Sequence, residues 1–264
     1  MVPVTDRDPL VDAWLRSLVA RHATSMTRPE FLKAARALSA RYVERRAALA
    51  DRSPLDSAGK RAAFAGFYAP MHFLAARAIV QALGPLGAPV THIVDLGCGT
   101  GVAGAAWALQ GQPGPSITGV DRNTWALDEA RSTWRALDLP GRARRADVAA
   151  VLDELLAPRR AAGPDLGLVL GWSVNELDAR ARARAQRALL TLAGRGARIL
   201  VIEPIAARLV PWWDEWADQS VEAGGRVDSW RLQLAVPDEL ADLSRDAGFA
   251  RDALTARSVA FNWR

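Results

Sequence analysis

A glycine-rich loop between a predicted strand and a predicted helix constrains the fold of this chain more than any other feature. The loop Asp95–Gly101 reads DLGCGTG, follows the apolar run Val90–Val94 and leads into the helical pattern Gly101–Leu109. Closely spaced glycines let the backbone turn sharply and approach a ligand with no Cβ in the way. Asp121 stands at the end of the next predicted strand, where a carboxylate accepts hydrogen bonds from both hydroxyls of a ribose. This order predicts a nucleoside-containing ligand at the carboxyl ends of two parallel strands.

Short apolar runs alternate with helical patterns from residue 89 onward. Strands separated by helices of ten to fifteen residues are typical of βαβ units and a mostly parallel sheet. The tail departs from this alternation, because two predicted strands there flank one helix, Pro237–Ala247. Besides the strands around the glycine loop, Val90–Val94 and Ile117–Val120, the predicted strands are Ala143–Ala146, Leu166–Leu170, Arg198–Ile202, Arg231–Val236 and Ala256–Asn262.

The first ninety residues carry helical patterns instead of this alternation. Apolar residues at helical spacing predict helices up to Leu83, the last of them over Lys60–Leu83 with an interruption near Pro70. A segment rich in glycine and proline, residues 84–89, then ends the last helix. We therefore predict a helical N-terminal cap over residues 1–88 and a ligand-binding domain over residues 89–264.

Composition narrows the class of protein. The 264-residue chain has one cysteine, Cys98, so it can form no internal disulfide, four-cysteine zinc site or cysteine-held iron–sulfur cluster, and we predict no metal. The net charge is +5, and only Lys33 and Lys60 among the 34 basic residues are lysines. Such a balance indicates either an anionic partner such as nucleic acid or arginine-rich codon usage. The first ten residues contain no apolar run, so we expect no signal peptide, no membrane association and a cytoplasmic location.

A strand, a glycine loop and a helix in this order fit two kinds of ligand, a dinucleotide such as NAD and S-adenosylmethionine. Gly99–Gly104 also satisfies the dinucleotide pattern GxGxxG, with Asp121 about 20 residues further on, which leaves an NAD-dependent oxidoreductase as an alternative. However, Asp95 lies two residues before the first glycine, where a carboxylate repels a pyrophosphate and suits a cationic ligand. S-adenosylmethionine carries a sulfonium and an ammonium group and no phosphate. Both tyrosines, Tyr42 and Tyr68, and both lysines precede the loop, so no tyrosine–lysine catalytic pair follows it.

Segments of the chain resemble, in order, the motifs of the class I S-adenosylmethionine-dependent methyltransferases. The resemblance covers residues 90–264. It implies a Rossmann-like α/β sandwich with a central, mostly parallel seven-stranded sheet whose last strand is antiparallel, next to the α-helical N-terminal cap. The matching segments are residues 93–101 for motif I, Gly119–Arg122 for the acidic motif of the second strand, Ala146–Val148 for the third motif, Leu168–Ser173 for the fourth strand and residues 196–204 for the fifth.

The resemblance implies a site for S-adenosyl-L-methionine, residue by residue. In this family the acid and glycines of motif I hold the methionine part, the acid of the second strand holds the ribose, and the third motif contacts the adenine. The fourth-strand motif lies beside the methyl group. The cofactor-binding residues implied are Asp95, Gly97, Cys98, Gly99, Gly101, Asp121, Arg122, Asp147, Val148, Gly171 and Trp172.

The sequence carries weaker evidence for the residues that act on the methyl acceptor. A base is needed only if the acceptor loses a proton as it attacks, because much of methyl transfer is positioning. Glu176, Asp178 and Glu203 stand near the expected methyl position, and Glu176 is our candidate base. A helix-start acid that binds backbone N–H groups explains Glu176 equally well. The second catalytic candidate is His72, in an aromatic cluster of the cap, although a packed histidine fits the same pattern.

Four residues are predicted to contact the substrate. Tyr68 belongs to the aromatic cluster of the cap, and Asn175 follows the fourth predicted strand. Trp212 and Trp213 follow the fifth strand, where they are predicted to stack on a flat substrate, although indoles packed on the sheet give the same pattern. The chain lacks the Asn/Asp-Pro-Pro-aromatic tetrapeptide of many amino-methyltransferases, which weakens the case for a base amine as acceptor.

We consider two classes of partner: a small-molecule acceptor, and RNA or the ribosome. A basic helix over residues 180–187 presents arginines that fit either phosphate contacts or a solvated face. The chain also shows a fainter resemblance to the methyltransferase-like family associated with the small ribosomal subunit, which implies a non-catalytic assembly factor as a further alternative. The segments that carry it are residues 40–42, 68–70, 175–177 and 202–204, whereas the cluster-binding cysteines of that family are missing here.

Overall fold

A computed structural model describes residues 2–3, 8–23, 26–44, 55–85, 89–111, 114–157, 163–233, 235–249 and 253–263. Within them, eight strands form one sheet. The strands are β1 (Val2–Pro3), β2 (His92–Leu96), β3 (Ser116–Asp121), β4 (Gly141–Arg145), β5 (Leu166–Gly171), β6 (Arg198–Pro204), β7 (Arg226–Gln233) and β8 (Leu254–Phe261). The helices are α1 (Pro9–Ala23), α2 (Arg28–Glu44), α3 (Ala58–Ala63), α4 (Ala69–Leu83), α5 (Val102–Ala108), α6 (Thr124–Ala136), α7 (Val148–Leu156), α8 (Ala179–Gly194), α9 (Trp213–Glu222) and α10 (Asp238–Asp246).

The strand order is β1-β7-β8-β6-β5-β2-β3-β4. Strands β2 to β6 pair in parallel, and β8 runs antiparallel to both β6 and β7. The predicted Rossmann-like sandwich, with seven strands and an antiparallel final strand, is therefore confirmed. The sheet has one strand more than predicted, because Val2 and Pro3 pair in parallel with Leu232 and Gln233 at the edge of β7. Two residues are too few to show a strand period in a sequence.

Helices cover both faces of the sheet, because alternate strand residues point to opposite sides. Ile93 packs into a cluster with α4, α5 and α6, whereas its neighbour Val94 packs into a second cluster with α7, α8 and α9. The first cluster also contains Trp14 of α1 and Phe31 of α2. The N-terminal helices thus share a core with the sheet, and α4 packs along α5 as one of the flanking helices.

The interruption predicted near Pro70 is corrected by the structure. The helix runs on from Ala58 to Leu83, through one π-helical turn, Phe64–Tyr68, between α3 and α4. The Ala69 N–H donates to the Phe64 carbonyl five residues back. This wider turn accommodates Pro70, which has no N–H to donate and whose ring clashes with the usual carbonyl of the preceding turn.

The same helix is long and apolar enough to cross a membrane. Its mean hydropathy is 1.3 over the most apolar window of Ala58–Leu83, and 78% of that window is buried inside the fold. Burial of this extent is typical of the core helix of a sandwich, so the length and composition of the helix are explained by its packing against α5 and the sheet.

Candidate active site

A cavity of about 810 Å³ opens at the carboxyl ends of β2 to β6. Its floor is formed by the loops that follow these strands, and one wall is formed by the helical segment around the π-helical turn. The cavity therefore lies where open parallel sheets bind their ligands. Of the predicted cofactor-binding residues, those that line it are Gly97, Cys98, Gly99, Asp121, Arg122, Asp147, Val148, Gly171 and Trp172.

The glycine loop adopts a backbone that only glycine fits. Gly97 has φ +71°, and a Cβ on it would lie 2.6 Å from the Ser173 Cβ. Ser173 also donates its hydroxyl hydrogen to the Leu96 carbonyl at 2.9 Å, which ties the loop after β5 to the end of β2. Gly99 has φ +51° and faces the cavity. The loop therefore brings its backbone close to a ligand at Gly97 and Gly99, which both line the cavity.

The Asp121 carboxylate fixes this loop from the end of β3. It accepts a hydrogen bond from the Gly99 N–H at 2.9 Å and another from the Asn123 N–H at 2.8 Å. At the end of β4, Asp147 caps α7 by accepting from the Ala149 N–H. Its second carboxylate oxygen lies 3.9 Å from the Arg122 guanidinium. Two carboxylates thus stand on one rim of the cavity, in the positions predicted for ribose and adenine contacts.

Two predicted cofactor-binding residues do not line the cavity, and their expected direct contacts are corrected. Asp95 is fully buried beneath the loop, where its carboxylate accepts a hydrogen bond from the Gly104 N–H at 2.8 Å. Burial raises the pKa of Asp95 to about 7, with a further contribution from the charge of Asp121. Gly101 begins α5 with φ +77°, and its carbonyl accepts from the Trp134 indole N–H at 3.0 Å. Both residues support the loop from below.

The chain turns sharply at the end of β5, between the glycine loop and the cap. Trp172 has φ +57°, an uncommon value for a residue other than glycine. Its N–H donates to the Ile202 carbonyl at 2.7 Å, and its indole stacks on the His72 imidazole with ring centroids 4.1 Å apart and planes 7° apart. Burial lowers the pKa of His72 to about 4, so the imidazole is neutral at pH 7. His72 is therefore a weak base.

Glu203 holds the turn in place and is not in the cavity lining, so it is not a base for the acceptor. The fully buried carboxylate accepts hydrogen bonds from the Val174 N–H at 2.9 Å and the Asn175 N–H at 3.2 Å. It also accepts from the Asn175 side-chain amide at 2.7 Å. Asn175 and Glu176 both line the cavity, as does Asp178, which caps α8 through the Ala181 N–H.

The substrate contacts predicted for Trp212 and Trp213 are corrected by the structure. Neither residue lines the cavity, because the two indoles pack against the cluster on the opposite face of the sheet. Trp213 is only 3% exposed. Trp212 lies edge-on to Trp216, with ring centroids 5.0 Å apart, and under the Arg182 guanidinium. Tyr68, in contrast, lines the cavity and donates its hydroxyl hydrogen to the Ala35 carbonyl.

Some lining residues were not predicted from the sequence. Ser173 has a signal, because it is the last residue of the predicted fourth-strand motif, Leu168–Ser173, which is implied to lie beside the methyl group. Phe249 comes from a distant part of the chain, one residue after the left-handed Gly248 that ends α10. No periodicity marks Phe249, and only the return of the chain after α10 brings it to the cap.

The arginine side chains of α8 and β4 are not in the cavity lining, although Ala181 and Ala185 of α8 are. Among the cavity-lining residues of the described chain, Arg122 is the single basic side chain. On α8, Arg184 is exposed and forms an ion pair with Asp153. On the edge strand β4, Arg144 forms a two-point ion pair with Glu154 at 2.6 and 2.7 Å. These arginines have acidic partners within the chain itself.

Comparison with known proteins gives one family match and a shared fold. Residues 74–155 match the family described as methyltransferase small domain. No curated protein matches the chain. A proposed O-methyltransferase from Nostoc punctiforme is 15% identical in an alignment that covers 89% of this chain and 72% of that one, with a TM-score of 0.51. The plantazolicin methyltransferase BpumL, solved with SAH, is 12% identical over 96% of this chain and 99% of that one, with a TM-score of 0.48.

The family match, the motif order and the strand order agree. The matched region runs from α4 to α7 and includes the glycine loop, Asp121 and Asp147. The chain therefore has the fold of the class I S-adenosylmethionine-dependent methyltransferases, and its residues 74–155 match a methyltransferase family.

Proposed function

We propose that this enzyme transfers a methyl group from S-adenosyl-L-methionine to a small-molecule acceptor bound beneath the N-terminal helices. The observation that carries the proposal is the cavity itself, which extends from the glycine loop to the aromatic wall of the helical segment. Its volume of about 810 Å³ falls in the range of small-molecule sites. An RNA substrate would need basic side chains around the cleft, and the lining has one, Arg122.

The residues of the glycine-loop side fit the cofactor. The loop backbone at Gly97 and Gly99 would lie against the methionine part, since no Cβ stands in the way there. Asp121 would accept from the ribose hydroxyls, and Asp147 with Val148 would contact the adenine. When bound, the cofactor supplies a methyl group on a positively charged sulfur. Asp95, placed under the loop, would act through the loop and not by direct contact.

The opposite side of the cavity fits the acceptor. Glu176 is our candidate for the base that takes the acceptor's proton, because it lines the cavity on the turn after β5. Asn175 is less available to a substrate, since its amide group already donates to Glu203. His72, neutral and stacked on Trp172, would form part of the acceptor wall instead of taking the proton. Aromatic walls would exclude water from the reacting atoms.

The test is methyl transfer from cofactor labelled on the methyl group. The labelled cofactor is offered with a low-molecular-weight metabolite extract and, separately, with small ribosomal subunits and total RNA. We expect label in the small-molecule fraction, and a loss of about 100-fold or more for Glu176→Gln with cofactor binding retained. Arg184→Gln, on the exposed face of α8, is the matched control and should keep its activity.

Two results would contradict the proposal. Label in RNA or ribosomal protein would assign the enzyme to the ribosome. Retained cofactor binding with no label in any fraction would favour the non-catalytic assembly factor.

A further inference from the structure

We propose that the acceptor is a flat, uncharged aromatic molecule that carries the methylated hydroxyl or amino group on its ring. This inference rests on the proposed function and narrows its substrate class. It starts from the convergence of aromatic rings in the cavity lining, where the Phe64 ring lies next to Gly99 of the glycine loop. The six lining rings are those of Phe64, Phe67, Tyr68, His72, Trp172 and Phe249.

The rings form a continuous wall. The Phe249 ring lies 5.7 Å from that of Phe67 and 6.4 Å from that of Tyr68, centroid to centroid. Tyr68 lies 6.4 Å from His72, which in turn stacks on Trp172 at 4.1 Å. Three parts of the chain thus contribute to the wall: the π-helical segment, the turn after β5 and the segment after α10. Such surfaces favour a ligand with an aromatic face, because aromatic rings attract one another in offset-stacked and edge-to-face arrangements.

The backbone at Trp172 is held in place to present this indole. A left-handed conformation is strained for a residue with a Cβ, so it persists only where its surroundings enforce it. Here the Trp172 N–H donates to the Ile202 carbonyl, and Glu203 binds the next turn through the Val174 and Asn175 N–H groups. The indole is therefore fixed parallel to His72 before any ligand arrives.

The charges around the wall argue against an anionic acceptor. The imidazole of His72 is neutral at pH 7, and the ionisable side chains beside it on the turn are the acids Glu176 and Asp178. Arg182 of α8 is not among the lining residues; it donates to the Leu177 carbonyl at 2.8 Å and covers Trp212. A carboxylate or phosphate on the acceptor would meet no counter-charge here and would lie near two carboxylates.

The reaction balances for a hydroxyl or amino acceptor. The acceptor oxygen or nitrogen forms a bond to the methyl carbon, and the bond between that carbon and sulfur breaks with its electron pair remaining on sulfur. The products are the methylated acceptor and S-adenosylhomocysteine, a neutral thioether. The acceptor's proton passes to the Glu176 carboxylate and then to water.

The experiment compares three probes of similar size on the full chain saturated with S-adenosylhomocysteine. The probes are 2-naphthol (flat and neutral), 2-naphthoate (flat and anionic) and 2-decalol (neutral and saturated). We expect calorimetry to give at least tenfold tighter binding of 2-naphthol than of either other probe. Phe249→Leu should weaken 2-naphthol at least fivefold without changing S-adenosylhomocysteine affinity, whereas Val221→Ala on the exposed face of α9 should change neither.

The outcomes separate this inference from the proposed function. If the chain binds S-adenosylhomocysteine but takes 2-naphthoate or 2-decalol as tightly as 2-naphthol, the aromatic, uncharged class is wrong and the methyl transfer proposal stands. Failure of all three probes to bind the saturated protein would also overturn the inference. Failure to bind S-adenosylhomocysteine itself would overturn the proposed function. The comparison of probes on the unaltered chain holds even if Phe249→Leu does not fold.

Discussion

Asp95 is a carboxyl group placed beneath the glycine loop, out of contact with solvent. One carboxylate oxygen accepts from the Gly104 N–H, and the other is buried without a partner among the described residues. Removal from water disfavours the charged form, so the pKa of Asp95 rises to about 7. Asp95 shares the strand face of Ile93, which points towards α5. The alternation of side chains along β2 therefore predicts the buried position of Asp95, whereas motif I suggests that Asp95 contacts the ligand.

The raised pKa predicts a pH-dependent stability. Between about pH 4 and pH 7 the folded chain keeps a proton on Asp95 that the unfolded chain releases, so its contribution to stability is lost as the pH rises through this window. Asp95→Asn retains an acceptor for Gly104 and does not titrate. We expect the free energy of unfolding of the unaltered chain to fall relative to this variant, by up to about 1.4 kcal/mol per pH unit. Urea unfolding at pH 5, 6 and 7 measures the difference.

Asp128→Asn is the control for this prediction, because the Asp128 side chain is 72% exposed on α6. Its difference from the unaltered chain should stay within a few tenths of a kcal/mol across the same pH range. A flat difference for Asp95→Asn, or one that grows in the opposite direction, would show that the carboxyl group is ionised in the folded state throughout.

At the scale of elements, polar contacts fasten the N-terminal helices to both sides of the cavity. On one side, Arg21 and His22 of α1 bind Glu129 of α6, at 2.6 and 3.2 Å. On the other side, Arg28 of α2 binds Asp246 at the end of α10 at 2.5 Å. The first contact is mostly buried, with side-chain exposures of 12% for His22 and 15% for Glu129, whereas the second is exposed.

This difference in burial predicts that the two contacts contribute unequally to the free energy of unfolding. Glu129→Gln removes the carboxylate that Arg21 and His22 contact and should destabilise the chain by about 1–3 kcal/mol. Asp246→Asn removes a solvent-screened pair and should cost under about 1 kcal/mol. Urea unfolding at pH 7 gives both values. Equal losses, or a larger loss for Asp246→Asn, would mean that the α1–α6 contact does not carry the stability assigned to it.

Elements with a clear period were predictable, and the exceptions have local causes. The strands from β2 to β6 and their helices follow from alternating apolar runs, and even the short β4 was found within two residues. The helix break predicted near Pro70 is wrong. The single π-helical turn Phe64–Tyr68 accommodates the proline, and the spacing of apolar residues does not reveal such a turn. Strand β7 begins at Arg226, earlier than the predicted Arg231, since its first residues are half-buried and polar.

For the whole molecule, the glycine loop and the order of motifs were enough to predict the sheet, because they leave few ways to connect its strands. The acceptor side was less predictable, since it is assembled from distant segments. Phe249 joins the cap after α10, whereas Trp212 and Trp213 turn to the other face of the sheet. A tryptophan-rich segment gives the same sequence pattern for packing and for stacking on a ligand.

The glycine loop and Asp121 are proposed to bind an S-adenosylmethionine-type ligand and not a dinucleotide. The most direct test is calorimetric titration with S-adenosylhomocysteine and NAD in parallel, using the unaltered chain, Asp121→Ala and the exposed-residue control Asp128→Ala. We expect binding of S-adenosylhomocysteine and none of NAD, with the affinity for S-adenosylhomocysteine lowered about tenfold or more in Asp121→Ala and unchanged in the control. Binding of NAD, or no binding of S-adenosylhomocysteine by the folded chain, would contradict this proposal.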